Sequence, residues 1–217
     1  MTGTETVEKY IANGYTSLVI TNHFDGDRIG APLTYRVRYD SYEEHVNKVY
    51  DAIDKIREGA AGRINIIDGV EMCGYHSSNH YLIFGMDREL ALKKNVFSLG
   101  MRELRDHLNA NGCIIIQAHP MRPGMTIIQP ECLDGYEVYN GDLECLKYNE
   151  VAYRYALVAG EGKKILTVGN DHHLHEEPLR AAILTCEPIK DTKQLAAVLK
   201  SGAYRLHVQG EGYLPRV

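Results

Sequence analysis

Tryptophan is absent from this chain of 217 residues and phenylalanine occurs only three times, so the aromatic content rests on fifteen tyrosines. Several of these, Tyr148, Tyr153 and Tyr155, fall at helical spacing, which packing explains without a base-stacking role. No CxxC pair exists to clamp a structural zinc. The five cysteines, Cys73, Cys113, Cys132, Cys145 and Cys186, are odd in number and widely spaced, and reduced, mostly buried thiols are expected. There is no excess of positive charge: the formal net charge is -5 and the pI about 6.1, so no overall basic field invites a nucleic-acid partner. No run approaches the roughly 20 apolar residues that span a bilayer, and no basic stretch followed by an apolar one opens the chain. The expectation is a cytoplasmic protein with no membrane partner. Internal repeats, low-complexity tracts and composition breaks are also missing, which predicts a single domain over residues 1–217.

What is present is an alternation of short apolar runs with amphipathic segments. Val7 to Ala12 reads as a helix stopped at Gly14, followed by Ser17 to Thr21 as a buried strand. Ser41, with Glu44 three residues on, is a capping box that opens a helix running to Gly59. Arg63 to Asp68, Tyr81 to Met86, Cys113 to Ile116, Tyr136 to Tyr139, Ile165 to Val168 and Tyr204 to Val208 read as further strands. Leu99 to Leu108, Leu143 to Ala159 and residues 191–200 read as helices. Continuous apolar strands between helices predict an α/β fold with a mostly parallel sheet covered on its outer face.

Metal-competent residues recur just after these strands: His23, Glu71, His119 and Asp171. In an α/β barrel the strand C-termini converge on one rim, so residues distant in sequence become neighbours. Histidine nitrogen with carboxylate oxygen, and no cysteine, suits a catalytic rather than a structural metal site, with zinc, manganese or iron as the fitting ions. His80 precedes the Tyr81 strand and is preferred over His76. His173 forms an Asp-x-His pair with Asp171, while His172 and His175 flank it. Arg122, three residues after His119, offers a guanidinium to an anionic substrate. His45 and His107 lie in helical patterns, where an outward or intrahelical side chain is expected, and His207 lies on the last strand.

In order and spacing these residues resemble the PHP family, the polymerase and histidinol phosphatase group of metal-dependent phosphoesterases. Ile20-Thr21-Asn22-His23, Gly69-Val70-Glu71, Asn79-His80-Tyr81-Leu82, Ala118-His119-Pro120 and Gly169-Asn170-Asp171-His172-His173 carry the resemblance over nearly the whole chain. It implies a distorted seven-stranded (β/α) barrel and a cluster of up to three divalent ions. Glu71 would bridge two of them, His80 and His119 would complete one, Asp171 would serve its neighbour, and His23 and His173 would share the third. Such a cluster polarises phosphoryl oxygens and makes hydroxide available near neutral pH, so Glu71, His119 and Asp171 are the implied catalytic residues.

The family's first motif, a His-x-His ending the first strand, has no counterpart in the chain as given. The expectations are therefore a barrel without its first strand, fewer than three ions, impaired hydrolysis, and a second copy of the chain covering the open strand edge. The leading function is hydrolysis of a small phosphorylated metabolite or a nucleotide, and the alternative is a non-catalytic PHP-like metal-binding module. A carbon–nitrogen hydrolase with a carboxylated lysine finds no suitably placed lysine after an apolar strand.

Overall fold

Six strands form one curled sheet in the order β1-β2-β3-β4-β5-β6: β1 (Ser17–Asp25), β2 (Asn65–Cys73), β3 (Tyr81–Phe84), β4 (Ile114–Gln117), β5 (Gly135–Asn140) and β6 (Ile165–Gly169). The computed structural model describes residues 3–32, 37–75, 77–174, 176–210 and 212–214. The sheet is mixed rather than parallel throughout. β3 runs antiparallel to both β2 and β4, and the remaining pairs are parallel. Among the described residues the sheet is a half-barrel whose outer strands, β1 and β6, are not hydrogen-bonded to each other. A second, antiparallel sheet combines β7 (Ala181–Thr185), β8 (Tyr204–Val208) and β9 (Gly212–Leu214). Sequence periodicity passed over β7, whose residues are mostly half-exposed and carry no clean alternation.

The helices α1 (Gly3–Ala12), α2 (Tyr42–Ala60), α3 (Arg88–Lys93), α4 (Met101–Ala110), α5 (Asn149–Ala159) and α6 (Thr192–Ser201) pack against the strands or one another. The core is built from the strand interiors, with Ile114, Ile115, Ile116 and Tyr136 fully buried, and from the inner helix faces, such as Leu104, Leu108 and Leu199. The Ser41 cap is present: its hydroxyl accepts from the Glu44 N–H, while the Glu44 carboxylate accepts from the Asp40 N–H, one residue earlier than an ideal box. The helix expected from Leu143 begins at Asn149, after a single 3-10 turn. No helix among the described residues is long and apolar enough to cross a membrane.

His45 departs from the outward or intrahelical placement expected of it. It is fully buried, stacks flat on Tyr39 at 4.0 Å between centroids, lies 4.8 Å from Phe24, and accepts the Asp25 N–H at Nε2. A ring held this way ties α2 to the end of β1, and the bond requires the neutral imidazole. Burial lowers its pKa from 6.5 to about 4. Between these values the unfolded chain binds the extra proton, so the His45 contribution is fully present above pH 6.5 and is lost as the pH falls towards 4. That loss is expected to reach roughly 3 kcal/mol. Urea unfolding of the wild type and His45→Gln at stepped pH checks it; identical pH slopes would remove His45 as the cause.

Candidate metal centre

Register places the site. His23 lies opposite Glu71 in the β1–β2 pair, Met72 opposite Tyr81, and Tyr81 opposite Gln117. The C-terminal ends of β1, β2 and β4 therefore share a rim with the start of β3, because β3 is reversed. His23 and Glu71 are strand residues: β1 continues to Asp25 and β2 to Cys73, beyond the apolar runs that marked them in the sequence. The strand pairing between β1 and β2 runs on through these polar residues to Asp25 and Cys73.

Three imidazoles converge on one buried carboxylate. Glu71 Oε1 lies 2.8 Å from His80 Nδ1 and 3.2 Å from His119 Nε2, and Oε2 lies 3.4 Å from His23 Nε2. The His80 ring sits between the other two, with centroids 5.5 Å from His23 and 5.0 Å from His119. Burial alone would raise the Glu71 pKa, but hydrogen bonds from His119, His23 and His80 outweigh it and hold the group far below the usual carboxylate range. His23 is pushed up to about 10, first by hydrogen bonding to Cys73 and then to Glu71. Burial is the largest single influence on His119 and works against its protonation, but the bond to Glu71 together with the nearby Glu137 and Glu71 carboxylates outweighs it and raises the pKa.

His23, Glu71 and His80 each offer a ligand atom within 4.8 Å of the others. Donors bound at zinc distances of about 2.0–2.1 Å stand roughly 3.4 Å apart in a tetrahedron, so small side-chain rotations bring this set onto one ion. His119 Nδ1 is buried and has no hydrogen-bond partner among the described residues, an arrangement that costs free energy in a purely structural histidine. The donor set fits a divalent metal ion.

Asp171 and His173 lie outside this cluster of three. His173 Nδ1 is 3.5 Å from Asp171 Oδ1 and 2.9 Å from the Asp171 carbonyl oxygen, and its side chain is more than half exposed. The Glu177 carboxylate accepts from the N–H groups of His173 and Leu174 and holds this turn. His23, which the resemblance groups with His173, shares its cluster with Glu71 and His80. His172 packs edge-on against Tyr10 and lies 3.0 Å from Lys9 Nζ. His76, His175 and Arg36 lie outside the described residues. Arg122 lines an open mouth next to the cluster, together with His23, His80, Ser77, Ser78 and Arg28.

Two inner residues of β5 went unnoticed in the sequence. Glu137 and Asn140 are buried and line, with Glu71, His119 and Asp171, an interior cavity of about 530 Å³ between β1 and β6. Burial pushes the Glu137 pKa up to about 7. In the string Tyr136-Glu137-Val138-Tyr139-Asn140, Glu137 reads as an outward polar residue of an alternating strand. A carboxylate among large buried neighbours was the available signal.

A curled mixed sheet backed by helices, with imidazoles and carboxylates gathered at one rim, is consistent with a PHP-type α/β fold. Among solved structures the chain is similar to a two-domain protein of Bacteroides vulgatus containing a predicted PHP-like metal-dependent phosphoesterase, with a TM-score of 0.57 at 16% identity over 95% of this chain. The chain spans 60% of the length of that structure. A structure described as a candidate metal-dependent phosphoesterase of Bifidobacterium adolescentis matches over 91% of this chain and 90% of its own, at 14% identity and a TM-score of 0.44. No family model and no curated protein matches the sequence.

Proposed function

We propose that the chain is a metal-dependent phosphoesterase acting on a small phosphorylated metabolite or a nucleotide. The observation that carries this reading is the convergence of His23, His80 and His119 on the buried Glu71 carboxylate, beside a mouth containing Arg122. A divalent ion bound there supplies Lewis acidity towards a phosphoryl oxygen and lowers the pKa of water. The chain's own residues do the rest. Glu71 and the three imidazoles fix the site, with the Glu71 carboxylate and the His119 ring buried at its inner end. Asp171, held at the same cavity, adds negative charge for a further cation. Arg122, whose N–H donates to the His119 carbonyl, presents its guanidinium beside Ser77 and Ser78, where it would orient a phosphate.

The test is hydrolysis of p-nitrophenyl phosphate with added Mn²⁺. Turnover is expected to depend on the metal and to stop with a chelator. Arg122→Ala is expected to raise KM at least about tenfold with a smaller change in kcat, the signature of lost phosphate binding. Equal turnover by the wild type, Glu71→Ala and His119→Ala would remove the enzymatic reading and leave the non-catalytic metal-binding module.

A further inference from the structure

We propose that Glu137 and Asn140 are a positioning pair that locks His119 and Asp171, the two rim residues with left-handed backbones, into one rigid unit. The inference rests on the metal-centre reading above. Glu137 Oε2 accepts the His119 backbone N–H at 2.8 Å and the Asn140 side-chain amide at 2.9 Å. The same Asn140 nitrogen also donates to Asp171 Oδ2 at 3.0 Å. A continuous chain of hydrogen bonds, buried except at its Asp171 end, thus joins the loop after β4 to the loop after β6 through the end of β5.

The residues at the two ends of this chain have unusual backbones. His119 has φ +27° and Asp171 φ +48°, in a region that side chains enter only where surrounding contacts hold them. Both are candidate site residues, and both are held by the same two side chains. The pair is itself fixed. Asn140 N–H donates to Asn149 Oδ1, and Asn149 Nδ2 donates to the Asn140 carbonyl, each at 3.0 Å, which ties it to the first residue of α5.

Three further features agree with a positioning role. A register shift between Glu137 and Tyr139 lets two residues three apart turn to one side of β5, where strict alternation would oppose them. Gly169 on β6 leaves the space that Glu137 fills, since a Cβ there would stand 2.5 Å from Glu137 Oε1. Glu137 makes no salt bridge with Lys or Arg among the described residues, so its carboxylate is kept in the interior by these neutral donors. Burying an acid on those terms is costly unless its acceptor capacity is used.

The experiment uses the full chain, with Co²⁺ as a spectroscopic probe and backbone amide exchange of the metal-free protein as a second readout. Glu137→Ala is expected to weaken Co²⁺ binding about tenfold or more and to shift its visible bands, as outer partners of metal ligands do. Glu137→Gln keeps an oxygen that accepts both bonds and is expected to restore affinity and spectrum. Asn140→Ala is expected to resemble Glu137→Ala, and the double variant to be no worse than the weaker single one. In the metal-free protein the His119 amide is expected to lose protection in Glu137→Ala and regain it in Glu137→Gln. Wild-type affinity, spectrum and protection in Glu137→Ala would overturn the pair, as would simple additivity of the two single losses. Should the wild type bind no Co²⁺, the metal-centre reading falls, and the exchange readout alone decides the pair. Should Glu137→Ala not fold, Asn140→Ala carries the same comparison through Co²⁺ affinity and spectrum.

Discussion

Glu71→Ala is expected to lower divalent-ion affinity by more than about 100-fold and to abolish metal-dependent hydrolysis. Losing only an outer partner of a ligand already costs about 10–100-fold, and Glu71 is the carboxylate on which all three imidazoles converge. The metal-free protein should also respond. His23 is raised by its partners, so that part of the stability is complete below pH 6.5 and is lost as the pH rises through about 10. At neutral pH the metal-free variant is therefore expected to be less stable than the metal-free wild type, with the deficit shrinking in alkali. Titration calorimetry with Mn²⁺ or Zn²⁺ measures the first effect. An affinity within threefold of the wild type would place the ion elsewhere.

Asp134→Ala is expected to be the most damaging substitution away from the rim, costing about 3–5 kcal/mol. Asp134 is nearly buried, and its two oxygens are fully engaged. Oδ1 accepts from Arg105 Nε at 2.9 Å and Asn109 Nδ2 at 3.0 Å, and Oδ2 accepts from the Ile115 N–H at 2.9 Å. One side chain thereby joins α4, β4 and the approach to β5. Alanine leaves the Ile115 N–H, within a wholly buried strand, without this acceptor, and strips Arg105 of its carboxylate partner, leaving it only the Glu131 carbonyl. For a chain of this size the corresponding fall in Tm is on the order of 10 °C. Thermal unfolding of the variant measures it, and a shift of a degree or less would show that water replaces the carboxylate at no cost.

The strand and helix cores were legible because burial imposes period: the Ile114 to Ile116 run, the α2 stripe of Val46, Val49 and Ile53, and the Ser41 cap all stand where the pattern put them. The edges were less legible where polarity has a function. The apolar run ending at Thr21 concealed four further residues of β1, and His23 is among them. Polar residues on the inside of a half-barrel obey the reverse of the usual rule, which is why Glu137 and Asn140 gave no signal in the sequence. His45 was misread for a related reason: an imidazole lodged among aromatic rings behaves as an apolar residue, and periodicity cannot distinguish the two. Of the candidate ligands, His23, Glu71, His80 and His119 come together at the rim, whereas the compact Asp171-His172-His173 string forms its own turn beside them.

The reversal of β3 bears on how cheaply the rim is assembled. Glu71 and His80 are nine residues apart in the chain, whereas Glu71 and His119 are separated by 48. For flexible loops, closing the shorter span costs about 1.5 kcal/mol less conformational entropy. A strand entering the sheet backwards thus lets one hairpin carry two of the four candidate ligands, brought together by local chain connectivity before any distant strand arrives.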